Sequence, residues 1–135
     1  MIDRTEIERL VPHAGAMCLL DAVTSWGPTS ITCVSRAPTA AHPLARDGMV
    51  PTIVAAEYAG QATAVHGALL EQREWPPAGM LASLVDVHLS GASLPPLPLG
   101  IEATMQSRSS TGCLYTFVVS ADSEQVASGR LMVAL

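Results

Sequence analysis

The chain has 135 residues and a mass of 14.1 kDa, which predicts one domain, residues 1–135, with a single sizeable core. Seven arginines, no lysine and twelve acidic residues give a net charge of -5, which argues against a general nucleic-acid binder. Hydrophobic residues make up 49% of the chain and charged residues only 14%, so a monomer would expose an unusual amount of apolar surface. We therefore expect a homo-oligomer, either a dimer or a larger assembly of dimers.

The cysteines and the absence of metal-binding and phosphate-binding motifs indicate which kinds of protein this chain is not. Cys18, Cys33 and Cys113 are odd in number and widely spaced, so no disulfide framework is predicted. No basic and then apolar leader opens the chain, and we expect a reduced, cytoplasmic protein. Metal-ligand spacing and glycine-rich phosphate motifs are both absent from the sequence, so no metal and no cofactor are predicted.

The N-terminal part of the chain predicts a short helix followed by a hairpin. Thr5 and Glu8 have the spacing of a capping box, and Pro12 would end the helix. Two strands are then predicted over residues 17–24 and 30–36, because β-formers there surround a Gly-Pro turn.

Residues 49–70 carry a single formal charge, Glu57, and predict one long helix that ends near Arg73. Apolar residues occupy nearly every face of this helix, so we expect it to be enclosed by protein. A membrane span of this length would place Glu57, Gln61 and His66 in hydrocarbon, which is costly, and we predict no membrane span. A lone carboxylate in such a segment is either a structural accident or a working acid, because burying it without a partner is unfavourable.

After this helix the hydrophobic pattern changes to period two. Four strands are predicted, over residues 80–89, 101–108, 113–121 and 125–134. The order of elements favours an α+β fold, in which an antiparallel sheet of about six strands wraps around one long central helix.

Two segments resemble signatures of a known family. Residues 12–21 read PHAGAMCLLD, similar to a PH-x-x-x-(apolar)-LL-D signature, and residues 51–62 read PTIVAAEYAGQA, similar to a PG-(apolar)-x-x-x-E-x-x-x-QA signature. His42-Pro43 is similar to the HFP element before the second signature, although the spacing to Pro51 is one residue longer. Together they resemble the β-hydroxyacyl-(acyl-carrier-protein) dehydratases, most of all the short dehydratase-like proteins of aryl polyene pigment clusters.

The resemblance implies a hotdog fold and the dehydration of 3-hydroxyacyl thioesters, or the reverse hydration, on acyl carrier protein or CoA. It implies sites shared between two protomers, in which His13 takes the C2 proton and Glu57 of the partner subunit protonates the departing C3 hydroxyl. The backbone N–H of Thr52 would bind the thioester oxygen as the oxyanion donor. Gln61 lies one helical turn after Glu57 and would orient its carboxyl group.

The chemistry requires this combination independently of the family. The α-proton of a thioester is weakly acidic, so its removal needs a base and a polarised carbonyl, and hydroxide leaves only if an acid protonates it. An imidazole with an ordinary pKa near ~6.5 can act as the base, and a carboxyl group in apolar surroundings retains a proton to donate. Thr52 departs from the family pattern, which has glycine there, and its β-branch restricts the backbone.

Structural interpretations of the same residues remain open. His13 alone would be an ordinary loop histidine, Glu57 a buried carboxyl group satisfied by Gln61, His66 a core histidine and His42 a residue that shapes the loop before the helix. Among functions, the first alternative is a hotdog acyl thioesterase, whose helix carboxylate activates water and which does not need His13. The second is a non-catalytic dehydratase-like subunit that supports a partner hotdog protein, favoured by Thr52 in place of glycine.

Overall fold

The computed structural model describes residues 1–11, 15–71 and 80–134. Its helices are α1 (Arg4–Leu10) and α2 (Ala55–Glu71), and the 3-10 turn Thr52–Val54 leads directly into α2. The strands are β1 (Ile2–Asp3), β2 (Ala22–Trp26), β3 (Ser30–Ser35), β4 (Met80–Leu89), β5 (Leu99–Arg108), β6 (Gly112–Ala121) and β7 (Glu124–Ala134). His13 and the predicted helix end near Arg73 lie outside the described residues.

The seven strands form one antiparallel sheet in the order β1-β2-β3-β5-β6-β7-β4. Helix α2 contacts β3, β5 and β6, and the short helix α1 also contacts α2. The predicted hotdog fold, one long helix against an antiparallel sheet, is confirmed. The four C-terminal strands begin and end within two residues of their predicted limits, because alternation of apolar and polar residues is strong there.

Three predictions near the N-terminus are wrong in detail. Asp3, and not Thr5, caps α1, since its carboxylate accepts a hydrogen bond from the Glu6 N–H at 3.0 Å. The short strand β1 pairs with β2 and raises the number of strands from six to seven. Strand β2 begins at Ala22 and not at residue 17, because residues 18–20 form no strand ladder and are held by side chains instead.

The core lies between α2 and the inner face of the sheet. In β6 the buried residues alternate with half-buried ones, as period two requires, and the buried ones are Cys113, Tyr115, Phe117, Val119 and Ala121. No residue of α2 is fully exposed, which confirms the expected enclosure of the central helix.

One stripe of α2 is less covered than the rest. Glu57, Gly60, Ala64 and Gly67 are only half-buried, and they recur at the spacing of a single helix face. Glu57 therefore lies on the most accessible face of a helix that is otherwise buried.

Membrane and metal features were also sought in the described parts of the chain. Neither α1 nor α2 is long and apolar enough to cross a membrane. Within residues 1–11, 15–71 and 80–134, no three side chains of the metal-binding types lie together as a possible site.

His66 is fully buried in α2 and joins the helix to the turn after β2 and to strand β6. Its Nε2 donates to the Gly27 carbonyl at 2.8 Å, and its Nδ1 lies 2.7 Å from the Tyr115 hydroxyl, which donates to it. Burial lowers the pKa of His66 from its ordinary value, and the nearby Arg108 acts in the same direction, while the Gly27 carbonyl opposes it. The expected core histidine is thus neutral and satisfied at both ring nitrogens.

We predict that the protein loses stability in mild acid because of His66. Well above pH ~6.5 the ring is neutral in both states, whereas at lower pH the unfolded chain takes up a proton that the folded chain resists, so folding free energy is lost. Urea unfolding at pH 7.5 and 5.5, at one protein concentration, should give a smaller decrease in stability for His66→Gln than for the wild type. The exposed His88, replaced by Gln, is the control and should keep the wild-type decrease. An equal decrease in His66→Gln and wild type would contradict the prediction.

Candidate functional site

The segment that follows His13 is held against α2 by one buried side-chain amide. Gln61 is 2% exposed, and its Oε1 accepts a hydrogen bond from the Leu19 N–H at 2.8 Å. Its Nε2 donates to the Met17 carbonyl at 2.8 Å. Residues 18–20 have no strand partners of their own, so these bonds satisfy backbone groups that a ladder would otherwise satisfy.

The same amide contacts the carboxylate of Glu57. Gln61 Nε2 donates to Glu57 Oε1 at 3.2 Å, across one turn of α2. Gln61 therefore places the Glu57 carboxylate beside the backbone of Met17. The sequence placed these two side chains on one helix face, and the structure brings them into contact.

Asp21, the last residue of the first signature, fixes the other end of this segment. Its carboxylate accepts from the Arg36 N–H at 2.6 Å and from the Arg36 guanidinium at 3.0 Å. Arg4 donates to Asp21 at 3.3 Å and to the Gly15 carbonyl at 2.6 Å. The hydrogen bonds from Arg36 hold the pKa of Asp21 below its usual range, although partial burial opposes them.

Thr52, the predicted oxyanion donor, is buried and engaged with the loop after β4. Its N–H donates to the Ala92 carbonyl at 3.2 Å, and its hydroxyl donates to the Gly91 carbonyl at 2.8 Å. Gly91 has a φ of +77°, a conformation that favours glycine and turns this loop toward the helix start. A substrate oxygen would have to share or replace the bond to Ala92 in order to use the Thr52 N–H.

A cavity of about 330 Å³ opens on the side of the Met17–Leu19 segment away from Gln61. It lies between α1, the end of β3, the loop after β3 and Tyr58 of α2. Its polar and charged lining residues are Arg4, Ser35, Arg36, Thr39, His42 and Tyr58. This volume is at the lower end of the range for small-molecule sites.

A chain of hydrogen bonds forms one wall of the cavity. Leu44 N–H donates to His42 Nδ1 at 3.0 Å, and His42 Nε2 lies 3.1 Å from the Tyr58 hydroxyl. The Tyr58 hydroxyl also bonds with Ser35, whose own hydroxyl donates to the Leu19 carbonyl at 2.6 Å. The wall thus connects the loop before α2 to the segment that follows His13.

Sequence reasoning missed Tyr58 and Ser35, and it gave His42 only the shaping of a loop. His42 does hold that loop, through Leu44, but it also lines the cavity. The one available signal was a histidine and a tyrosine 16 residues apart, and no periodicity connects a loop residue with a helix residue. Their meeting depends on the path of the whole loop, which local pattern does not encode.

Residues 5–135 match the family described as ApeP-like, ApeP dehydratase. The chain belongs to the ApeP-like dehydratase family. The match covers both signatures and nearly the whole chain, and the protein is a dehydratase-like hotdog protein. No curated protein matches the sequence.

Solved structures similar to this ApeP-like chain support the same fold. A chain of the dehydratase heterocomplex ApeI:P from Xenorhabdus doucetiae has a TM-score of 0.82 at 20% identity, covering 96% of this chain and 90% of that one. Thioesterase superfamily member 2 from zebra fish has a TM-score of 0.69 at 13% identity, covering 98% of this chain and 94% of that one. Its counterpart from Mus musculus has a TM-score of 0.63 at 12% identity, covering 84% and 80%. At these identities the likeness establishes the fold alone.

We predict that Gln61→Leu lowers the free energy of unfolding by about 2–4 kcal/mol, because it leaves the buried Leu19 N–H and the part-buried Met17 carbonyl without their partner. Chemical denaturation followed by circular dichroism measures the change. The control is Gln106→Leu, because Gln106 is exposed on β5 and makes one side-chain bond, to Thr116. If Gln61→Leu is as stable as Gln106→Leu, the prediction that the Gln61 amide stabilises the fold is wrong.

Proposed function

We propose that this protein is a dehydratase, or reverse hydratase, of 3-hydroxyacyl thioesters carried on acyl carrier protein or CoA in the cytoplasm. The observation that carries the proposal is the three-way contact of Gln61 with Glu57, Met17 and Leu19. It fastens the segment that follows His13 to the helix that carries Glu57, at a face that stays accessible. Membership in a family of dehydratases supports the reaction class.

In the proposed reaction, His13 removes the proton at C2 and the electrons of that bond form the C2–C3 double bond. The C3–oxygen bond breaks, and Glu57 protonates the leaving hydroxyl, so that water and an enoyl thioester are the products. Gln61 keeps the Glu57 carboxyl group oriented, and Thr52 supplies an N–H to the thioester oxygen if that oxygen displaces the Ala92 carbonyl.

We propose that the active assembly pairs two hotdog chains. Strand β4 is ten residues long and pairs only with β7 among the described strands, so one of its edges is open. Leu84, Val85 and Leu89 on this strand are 37%, 41% and 43% exposed, which is unfavourable for an isolated chain. The half-buried stripe of α2 that includes Glu57 offers a second surface for the partner.

The partner is either a second copy of this chain or a related hotdog chain. The solved ApeI:P structure is a dehydratase heterocomplex, which favours a related chain as the partner. The alternative of a non-catalytic subunit has a clear test. It is supported if the purified protein neither hydrates nor dehydrates any thioester but raises the activity of a second hotdog chain. Release of free thiol from acyl thioesters would instead favour the thioesterase alternative that the zebra fish and mouse neighbours represent.

We predict that His13→Ala and Glu57→Gln each lower turnover by about 10²-fold or more, because each removes a proton-transfer group. Loss of enoyl absorbance on hydration of a short enoyl thioester measures the rate. Glu102→Gln, on the exposed side of β5, is the matched carboxylate control and should keep the wild-type rate. Wild-type rates in either site variant, with folding intact by circular dichroism, would end this mechanism.

Mixing the two inactive variants tests whether each site is shared. If His13 and Glu57 of one site come from different protomers, a mixed dimer has one intact site and one site that lacks both groups. Random exchange of equal amounts then gives about one quarter of the wild-type activity, since half of the dimers are mixed. No recovery after verified subunit exchange would place both groups in the same protomer.

A further inference from the structure

The bonds of Gln61 relate the segment that follows His13 to Glu57, but they act at some distance from His13. Gln61 holds this segment at Met17 and Leu19. Met17 is four residues after His13, and each residue between them adds two soft backbone dihedrals. A fixed distance between the proposed base and the proposed acid therefore requires a second anchor that is closer to His13.

Arg4 of helix α1 supplies an anchor at Gly15. The Gly15 carbonyl accepts two hydrogen bonds, one from Arg4 Nη2 at 2.6 Å and one from the Cys18 N–H at 3.1 Å. Gly15 has a φ of +60°, a conformation that favours glycine, so the chain turns at the residue that Arg4 holds. Only two peptide units separate the Cα atoms of His13 and Gly15.

The guanidinium of Arg4 is itself fixed by two carboxylates. Its Nε lies 3.3 Å from Glu8 Oε1, one turn along α1, and its Nη1 donates to Asp21 Oδ1 at 3.3 Å. All three nitrogens of Arg4 are thus paired, as the planar fork of a guanidinium allows. Asp21 in turn accepts from the Arg36 N–H at 2.6 Å. This chain of contacts connects the end of β3 to the Gly15 carbonyl.

We propose that Arg4 is a positioning residue of the dehydratase site, because it fixes the Gly15 carbonyl and thereby the backbone that carries the base His13. Asp21, the last residue of the first signature, orients the Arg4 guanidinium for this purpose. Arg4 transfers no proton and acts only through His13. The inference rests on the proposed function, and it gives each proton-transfer group its own polar anchor.

The expected magnitudes separate positioning from a contribution to stability. A partly exposed ion pair contributes little to folding, and the side chains of Arg4 and Asp21 are 33% and 23% exposed. A catalytic group displaced by about 1 Å can cost about 10²-fold in rate. Loss of the Arg4 guanidinium should therefore lower the rate far more than the stability.

The first test is the substitution Arg4→Met, which removes the polar contacts but retains a side chain of similar length. Assayed on a short enoyl thioester in the complete assembly, it should lower kcat by about 10–100-fold with KM nearly unchanged. Arg108→Met is the matched control, since Arg108 also pairs with a carboxylate, Glu71, and is 41% exposed. Glu71 is 14 residues after Glu57 in α2, about 20 Å away, so this variant should keep the wild-type kcat.

A double-mutant comparison shows whether Arg4 acts through His13. In the His13→Ala background there is no base left to place, so adding Arg4→Met should cost less than about two-fold more. An equal fold-loss in both backgrounds would overturn the inference. Wild-type kcat in Arg4→Met would also overturn it, while the dehydratase proposal would stand. If the wild type acts on no thioester, alone or with a partner chain, the proposed function and this inference fail together.

Backbone ¹⁵N relaxation tests the anchor without turnover. The order parameters of the His13 and Gly15 N–H groups should fall from wild type to Arg4→Met, toward the value of about 0.6 that marks flexible backbone. Leu19 is the internal control, because Gln61 still holds its N–H in this variant. Unchanged order parameters at both His13 and Gly15 would overturn the inference.

Discussion

The rest of the site depends on one buried amide that is both acceptor and donor. Leu19 and Gln61 are separated by 42 positions, and only a side chain with both kinds of group can satisfy the Leu19 N–H, the Met17 carbonyl and the Glu57 carboxylate together. The bond to Leu19 is buried in apolar surroundings, where leaving it unmade is costly, and the bonds to Met17 and Glu57 are part-buried. The amide thus joins a loop segment to a helix more firmly than apolar packing alone would.

Side-chain hydrogen bonds, together with one backbone bond from Asp21 to Val34, hold residues 15–21. Arg4 fixes the Gly15 carbonyl, Ser35 fixes the Leu19 carbonyl, and Arg36 fixes Asp21. Because residues 18–20 are not paired as a strand, their backbone can adopt a conformation other than the extended one. The cost is that each anchor is a specific polar residue, and two of these anchors, Ser35 and Gln61, are buried.

Pattern alone predicted the regular parts of this molecule well. Strand β4, for example, was predicted over residues 80–89 and is found there. Such strands are predictable because their apolar and polar residues alternate over many positions. The cap of α1 and the late start of β2 were mispredicted, since both depend on single side-chain contacts. Gln61 was placed beside Glu57 by helix geometry, but its bonds to Met17 and Leu19 join distant parts of the chain. The pairing of His42 with Tyr58 was likewise beyond local pattern, because it depends on how an irregular loop folds back.

The open edge of β4 has a consequence for how such assemblies diversify. Main-chain donors and acceptors are the same in every sequence, so an unpaired edge does not by itself distinguish one hotdog chain from another. If β4 is a contact edge of the proposed assembly, discrimination comes from the side chains of the contact surfaces, among them Leu84, Val85 and Leu89 beside this edge. After a gene duplication, substitutions at these positions are therefore a route from self-association to pairing with the sister copy.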